Sequence, residues 1–473
     1  MGGSLTNAWY PYASHLLLGN ICLRVTQKKN DRGSDPELLA CRNTSTLPSS
    51  CQPVAVALPH DPTATTLRCV MTGLRPYTRY YYAVKPHRLA SFVAPPRAGA
   101  QFDNYPLRIV AFGDVDWTDG TPGDPAGSDP ADVGNSRRVT AAACHDVNVG
   151  HRAGTGVGAP RPPFNATLTL HVGDISYSGP NSGGNTTLGA MLWDVFLAEQ
   201  ECLSAYMPYM VAAGNHDVCP TGIDVDGYTG WCNGDSGWEC GSEYLSRYKM
   251  PGANFSLPAD GYQSKRDCLP TYHSKAAHYW HAYTYGPIRF VVVSTEHDFS
   301  PGSPQLLWLA AELAGIDRKQ TPWVVVYGHR PTYCSGIYLN QCGEGGSAHY
   351  MAATLRRRME PLFVEAKVDL VLWGHEHAYE RIHPTVNGTV VSRTTDRPPA
   401  PINLVLGMGG ADNSYMNGWI EPPPAWIAHR EMQFGHGRIT VLSETELHFE
   451  YVAVDGVVHD EFFLTRNTSL GAL

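Results

Sequence analysis

The segments Leu107 to Phe112, Leu168 to Val172, Tyr209 to Ala213, Trp323 to Tyr327 and Leu370 to Trp373 are runs dominated by Val, Leu and other apolar residues, and each ends in a glycine followed by a polar block. The blocks are Gly113-Asp114, Gly173-Asp174 with Tyr177 close behind, Gly214-Asn215-His216-Asp217, Gly328-His329 and Gly374-His375-Glu376-His377. Runs without polar alternation fit strands buried on both faces, the situation of a sheet covered by other layers. In open α/β sheets the loops beyond the carboxyl ends of the strands converge on one crevice, so residues spread from Asp114 to His377 can meet there. Glycine lets the chain turn sharply and brings each side chain close to the others.

The residue types in these blocks suit metal ions. Carboxylate and amide oxygens suit hard cations and imidazole suits borderline transition metals. A phenolate such as that of Tyr177 suits a strongly Lewis-acidic ion able to hold it deprotonated, for which iron(III) is the natural candidate. Each block alone has a plainer explanation. Gly-Asp after a strand is ordinarily a turn, and a lone histidine at a strand end is ordinarily a hydrogen-bonded surface or core residue. The weight lies in the set.

A chain of 473 residues is too long for one ordinary core and suggests two domains. Charged residues make up 17% and aromatics 10%, with 47 Gly and 36 Pro, which fits a globular and loop-rich protein. A net charge of −9 argues against nucleic acid as a general partner, because no basic stripe is available to neutralise a phosphate backbone. Nowhere is there an apolar run long enough to span a bilayer. Twelve cysteines, none in a zinc-type Cys-x-x-Cys spacing, accompany Asn-x-Ser/Thr sequons at Asn43, Asn165, Asn185, Asn254, Asn387 and Asn467. Together these imply an oxidising compartment, secreted or of secretory or lysosomal type. Cys219, Cys232, Cys240 and Cys268 crowd one loop-rich region, and Cys334 and Cys342 flank a short loop after His329, so local disulfides near the site are expected. Met1 to Asn20 has no basic start followed by a long apolar stretch, and Leu16-Leu17-Leu18 is too short for a signal core, so the start is read as processed, truncated or replaced.

The chain divides near residue 100. In residues 1–100, Thr65 to Met71 and Thr78 to Val84 flank the turn Thr72-Gly73-Leu74-Arg75-Pro76 and read as strands of a small β-sandwich, with Ser91 to Gly99 as a linker. In residues 101–473 strands alternate with helical stretches, as in a layered α/β domain. Gln305 to Ile316 sets Leu306, Leu309, Leu313 and Ile316 on one helical face between the strands Ile288 to Ser294 and Trp323 to Tyr327, a crossover unit. Thr118 to Pro163 and Thr221 to Asp267 read as surface insertions, and Ile402 to Leu406, Ile439 to Ser443, Leu447 to Val454 and Val457 to Leu464 as closing strands.

The complete set of blocks, together with Gly374-His375-Glu376-His377-Ala378-Tyr379-Glu380-Arg381, Ser294-Thr295-Glu296-His297-Asp298 and Gly435-His436-Gly437, resembles the purple acid phosphatases of the calcineurin-like metallophosphoesterase superfamily. Tyr177 separates this branch from most others. With the leading β-segment, which resembles part of a fibronectin type III-like domain, the match is to the larger plant and animal forms. The resemblance implies a layered metallophosphoesterase β-sandwich flanked by helices. It assigns Asp114, Tyr177 and His377 to iron(III), Asn215, His329 and His375 to a divalent ion, and Asp174 to the bridge. The donor set does not choose sharply among zinc, manganese and iron(II) for the second ion. His216 is implied to act on substrate, while His297 and Asp298 are expected to support the fold or a loop.

The implied activity is hydrolysis of small phosphate monoesters by a metal-held hydroxide, with His216 assisting the leaving group. A phosphodiesterase or nucleotide hydrolase of the same superfamily, and a non-catalytic metal-binding glycoprotein, are the competing readings. The oligomeric state stays open, a homodimer among the options. Two departures from the family pattern stand out. Asp116 occupies a position usually held by glycine, adding negative charge behind the iron site. Leu339 and Asn340 stand where plant members carry a second substrate-contacting histidine, leaving Tyr338, Asn340 and His349 as possible replacements.

Overall fold

Two parallel-cored sheets carry the predicted runs. The first contains β8 (Leu107–Phe112), β9 (Leu168–His171), β10 (Tyr209–Val211), β20 (Gly435–Val441), β21 (Glu446–Ala453) and β22 (Val458–Thr465), in the order β10-β9-β8-β20-β21-β22. The second contains β11 (His281–Tyr285), β12 (Ile288–Val292), β13 (Trp323–Tyr327), β14 (Leu370–Trp373), β15 (Tyr379–Ile382), β18 (Ile402–Leu406) and β19 (Ile427–Glu431), in the order β11-β12-β13-β14-β18-β15-β19. The computed structural model describes residues 9–12, 20–28, 38–42, 53–58, 61–71, 74–84, 89–99, 104–116, 134–147, 164–182, 186–218, 241–248, 250–251, 279–337, 342, 351–411 and 418–467.

The strands β8, β9 and β10 run parallel, as do β12, β13, β14 and β18. Their carboxyl ends therefore open toward the polar blocks. Ile109, Leu170 and Tyr209 of the first sheet share one core with Phe290, Val325, Leu372 and Leu404 of the second. The opposite face of the second sheet, through Val291, Val324, Val326 and Val371, receives Leu309 and Leu313 of α6 (Pro304–Ala314) and Leu355, Met359 and Phe363 of α7 (Met351–Glu365). Burial on both faces is the reason these runs lack polar alternation. The layered fold expected from sequence is thus observed, and α6 is the expected crossover, its start fixed by Pro304 and by Ser303 Oγ, which accepts from Leu306 N at 3.3 Å.

The insertion expected at Thr118 to Pro163 needs correction. It contains α1 (Asn135–His145), whose Val139, Thr140 and Ala143 are buried. Flanking Gly, Pro and Asp obscured an Ala-rich helical stretch, the remainder of the segment lying outside the described residues. A disulfide joins Cys144 to Cys202, just after α3 (Thr186–Glu199) and within α4 (Glu201–Ser204), a pair the spacing did not suggest. Cys334–Cys342 forms as expected. The second insertion includes α5 (Ser242–Arg247), and the cysteine cluster there lies outside the described residues. The short α2 (Ser178–Ser182) follows Tyr177, and β16 (Thr385–Val386) with β17 (Thr389–Val390) makes a small hairpin.

Residues before 100 form β1 (Trp9–Tyr12), β2 (Asn20–Lys28), β3 (Leu38–Arg42), β4 (Pro53–Leu58), β5 (Asp61–Met71), β6 (Arg79–Val84) and β7 (Leu89–Val93). They divide into antiparallel sheets β1-β2-β5-β4 and β3-β6-β7, so the two strands read from sequence lie in different sheets. The expected linker begins later than Ser91, because Ser91 pairs with Tyr81 within the β6–β7 ladder. No described helix is long and apolar enough to cross a membrane.

One buried polar knot pins α1 to the first sheet. Asp146 accepts from His436 Nε2 at 2.7 Å and from Arg438 Nε at 2.6 Å and Nη2 at 2.5 Å. The Gly435-His436-Gly437 block thereby has a structural task. Burial alone would raise the Asp146 carboxyl, but the hydrogen bonds and charges of His436 and Arg438 outweigh it and hold the pKa below the ordinary carboxylate range. A depressed carboxylate contributes stability that is full above its unfolded pKa of about 4 and is lost as pH falls through the folded value. Asp146→Ala should destabilise by about 3–5 kcal/mol, the scale for removing one partner of a buried pair. In thermal unfolding, its Tm deficit should stay constant from pH 7 to pH 5 and narrow only below about pH 4. A deficit that is absent at neutral pH would refute the role.

Candidate metal centre

The loops after β8, β9, β10, β13 and β14 bring Asp114, Asp174, Tyr177, Asn215, His216, His329, His375 and His377 into one place. Asp114 (φ 60°), Asp174 (φ 48°), Tyr177 (φ 50°) and His375 (φ 72°) all adopt the left-handed backbone region. For a residue with a side chain this costs roughly 1–3 kcal/mol, and it persists only where surrounding contacts impose it. Those contacts are visible. Asp114 N donates to Gly173 O at 3.1 Å, Ala411 N donates to Asp114 O at 3.0 Å, and Val115 N donates to Asp174 O at 3.1 Å.

The donors fall into two groups. In the first, Tyr177 Oη lies 3.2 Å from Asp114 Oδ1 and 2.6 Å from His377 Nε2, and His377 Nε2 lies 3.5 Å from Asp114 Oδ1. In the second, His329 Nε2 lies 3.1 Å from both Asp174 Oδ2 and Asn215 Oδ1, and donor atoms of Asp174, His329 and His375 all fall within 4.8 Å of one another. His329 Nδ1 donates to Val172 O at 3.1 Å, which leaves Nε2 as the nitrogen facing the cluster.

Close approach requires glycine at particular points. A Cβ on Gly214 would sit 2.2 Å from Asp174 Oδ1, and one on Gly374 would sit 2.5 Å from Asp114 Oδ2. Backbone donors complete the placement: His216 N donates to Asp174 Oδ1 at 2.8 Å, and His375 N donates to Asp114 Oδ1 and Oδ2 at 3.1 and 2.9 Å.

The electrostatics are those of a site short of positive charge. Burial, then the charges of Asp174, Asp114 and Asp116, push the Tyr177 phenol well above its ordinary pKa. Burial favours neutral His329, but Asp174 overrides it and raises the imidazole to about 9. Burial would likewise raise Asp174, yet His329 and His216 hold it below the usual carboxylate range. His375 is driven well below its ordinary value, first by burial and then by Arg330, and so stays neutral. Neutral imidazole, carboxylate and amide oxygen are the forms in which these groups ligate metal.

His216 stands at the mouth. Its side chain is 26% exposed, its ring lies 4.4 Å from that of Tyr177, and its Nε2 is 3.8 Å from Asp174 Oδ2. Burial lowers its pKa below the ordinary histidine value despite Asp174, so it is neutral at neutral pH. His297 Nδ1 pairs with Ser294 Oγ at 2.7 Å and Asp298 Oδ1 accepts from Ser300 N at 2.8 Å, the supporting roles expected of them. Asp116 accepts from Asn181 Nδ2 at 2.7 Å and adds its charge behind Tyr177. Tyr338, Asn340 and His349 lie outside the described residues.

Three supporting residues were not assigned roles from sequence. Asp217 accepts from Ile175 N and Gly214 N, both at 2.8 Å, and so clamps two of the loops together. Glu296 holds Arg330 through bonds of 2.7 and 3.1 Å, and Arg330 Nη1 lies 3.1 Å from His375 Nε2. All three lie in or beside segments marked by the blocks, but their contacts cross from one strand to another, and residue type alone does not show a contact.

This fold and this convergence of donors have known counterparts. Residues 107–379 match the calcineurin-like phosphoesterase family, and residues 400–461 match the iron/zinc purple acid phosphatase-like protein C family. The chain belongs to the calcineurin-like phosphoesterases, in the purple acid phosphatase branch. Among its relatives, the Arabidopsis thaliana protein named probable inactive purple acid phosphatase 9 is 34% identical over 310 residues, covering 62% of this chain and 42% of that protein. The Fe(3+)-Zn(2+) purple acid phosphatase 12 of Arabidopsis thaliana is 28% identical over 400 residues, covering 81% of this chain and 67% of that protein. A purple acid phosphatase from yellow lupin (Lupinus luteus) seeds has the same fold, with a TM-score of 0.72 at 20% identity over 98% of this chain and 75% of that one. The match spans less than half the length of several curated relatives, probable inactive purple acid phosphatase 9 among them.

The Gly214 contact is open to a direct check. Gly214→Ala should lower stability by about 1–3 kcal/mol, the usual cost of forcing atoms into a filled site. Urea unfolding reads the change. An unchanged midpoint would show that the Asp174 carboxylate yields freely and is not fixed by this loop.

Proposed function

We propose that the chain is an acid phosphatase that hydrolyses small phosphate monoesters at an iron(III)–divalent metal pair. The observation that carries this reading is the division of the donors. Asp114, Tyr177 and His377 would hold iron(III), Asn215, His329 and His375 the divalent ion (zinc, manganese or iron(II)), and Asp174 would bridge them. The fit is chemical as well as geometric. The Tyr177 phenol is pushed up by burial and then by three carboxylates, so its ionisation requires a strong cation among them. The names of several relatives carry "inactive", but every donor of the set is present here, which supports an active enzyme.

When bound, such a pair supplies Lewis acidity toward phosphate oxygens and acidifies a water enough to give hydroxide below neutral pH. The chain's own residues do the rest. Asp217 and the Arg330–Glu296 pair hold the loops in register, and Asp174 sets the spacing of the two donor groups. His216, outside the donor set and partly open to solvent, takes up a proton in acid or beside the phosphate anion and donates it to the leaving oxygen as the phosphorus–oxygen bond breaks. Three described sequon asparagines, Asn165, Asn387 and Asn467, are exposed, and two disulfides form among the described residues, which supports a secreted or lysosomal-type location. The segment 1–100 is proposed to be a fibronectin type III-like domain, supported by its two antiparallel sheets.

The test is spectroscopic and kinetic. Protein from an iron-replete source should be violet, and Tyr177→Phe should bleach it. His216→Ala should retain both metals while kcat falls roughly 10²-fold, with a smaller loss on p-nitrophenyl phosphate than on alkyl phosphates, whose leaving groups need protonation. A colourless, iron-free protein that hydrolyses monoesters at full rate would overturn the iron assignment. Equal losses on all leaving groups would remove His216 from proton transfer.

A further inference from the structure

Away from the dinuclear cluster, the free edges of the two large sheets meet at a second set of metal-ligating side chains. The strand β19 is the edge of the seven-stranded sheet and β22 the edge of the six-stranded one. Along β19, His429 and Glu431 are two residues apart and so project to the same face. From β22, His459 Nδ1 lies 2.9 Å from Glu431 Oε2, while His429 Nε2 lies 3.8 Å from that oxygen. The latter separation is too long for a hydrogen bond.

We propose that His429, Glu431 and His459 form a third, zinc-type divalent cation site that staples the two sheet edges, with Asp455 orienting His459 from behind.

Four observations converge on it. First, His429 Nε2 and Glu431 Oε1 are buried atoms with no hydrogen-bond partner among the described residues. An unpaired buried polar atom is costly, and one ion beside Glu431 would satisfy both. Second, both strands are bulged at this point. The register of β15 with β19 shifts so that Arg381 faces His429 while Ile382 faces Ile427, and that of β21 with β22 shifts so that Tyr451 faces Asp460 while Val452 faces Val458. His459 is thus the extra residue on its strand, and Ala428 the extra residue beside His429. Bulges re-aim side chains and recur beside functional sites.

Third, His459 is presented as a ligand would be. Its Nε2 lies 3.4 Å from Asp455 Oδ2, and Asp455 Oδ1 is itself fixed by Val457 N at 2.7 Å. A carboxylate behind one ring nitrogen, leaving the other aimed at the ion, is the usual support of a zinc-bound histidine. Fourth, the adjacent arginines are committed elsewhere. Arg381 is bound to Asp460 at 2.7 and 2.9 Å, and Arg430 points away to Ile420 and Ser335. Side-chain exposures of 30% for His429, 23% for His459 and 17% for Glu431 leave a path for the ion and for water in the remaining coordination position.

Two imidazoles and one carboxylate with an open position is a zinc-type donor set, with bonds of about 2.0–2.2 Å. The three donors do not yet lie within 4.8 Å of one another, so reaching that spacing requires His429 to turn toward both Glu431 and His459, which its partial exposure permits. Bound ion would stabilise the folded chain by mass action, since the three donors come together only in the native state.

The test compares the intact protein with a His429→Gln/His459→Gln double variant. After equilibration in chelator-buffered Zn²⁺ and gel filtration, elemental analysis should find one more zinc per chain in the wild type, with equal iron in both. Exchange at the dinuclear centre affects both proteins alike and cancels in the difference. Raising free Zn²⁺ should raise the Tm of the wild type only. Should the double variant fail to fold, Asp455→Asn, at an exposed turn, takes its place and should shift the Zn²⁺ dependence of Tm to about 10- to 100-fold higher zinc, the scale for loss of such a supporting carboxylate. Equal zinc counts, or a Zn²⁺ response that Asp455→Asn leaves unmoved, would overturn the proposal.

Discussion

The Asp174 carboxylate is the contact around which the centre closes. It receives the His216 amide at 2.8 Å, faces His329 at 3.1 Å, and is approached by Gly214 more closely than any side chain would allow. A buried carboxylate is tolerable only when paired and hydrogen-bonded. Here the carboxylate follows β9 and its partners follow β10 and β13, so it both depends on the parallel sheets and fixes how their loops meet. Asp217 repeats the arrangement one layer back, tying the Gly173 loop to the Gly214 loop through two amides.

The second constraint is the seam between the sheets. On one side, Asp146 gathers His436 and Arg438 and holds α1 against β20. On the other, Asp460 of β22 accepts from Tyr379 Oη at 2.6 Å and from Arg381, both on β15. The first ties a helix to its sheet and the second crosses from sheet to sheet. They supply directional contacts where the apolar core, which is non-directional, would permit sliding. The left-handed residues of the centre can be held only if the sheets beneath them do not slide.

Much of this was legible in the chain. The runs before Gly113, Gly173, Gly214, Gly328 and Gly374 proclaim buried strands because two-sided burial removes polar alternation, and the blocks after them carry the ligating residue types. Strand ends shifted by a residue or two, as for Tyr209–Val211, where the ladder stops before the apolar run does. The α1 helix was hidden because its signal is short and its neighbours are rich in turn residues. The Asp217 clamp, the Arg330–Glu296 pair and the Asp146 knot were illegible for another reason. Each is a contact between residues distant in sequence, and a charged residue in an otherwise apolar segment does not declare its partner.

Strain and charge at the centre belong together. The left-handed residues and the crowded carboxylates each raise the energy of the folded chain, and natural sequences tolerate such conflicts mainly where function needs them. Without a cation, the nearby carboxylates supply their own compensation: Asp174 keeps His329 protonated to about pH 9, and the Tyr177 phenol stays neutral. A bound cation would replace those protons, so under the proposed function metal uptake releases protons and is opposed as pH falls. That opposition is smallest for an ion of high charge, which competes best for phenolate and carboxylate in acid. The same burial and crowding that make the metal-free site costly therefore favour a trivalent ion at Tyr177 over a divalent one, and link the choice of metal to work below neutral pH.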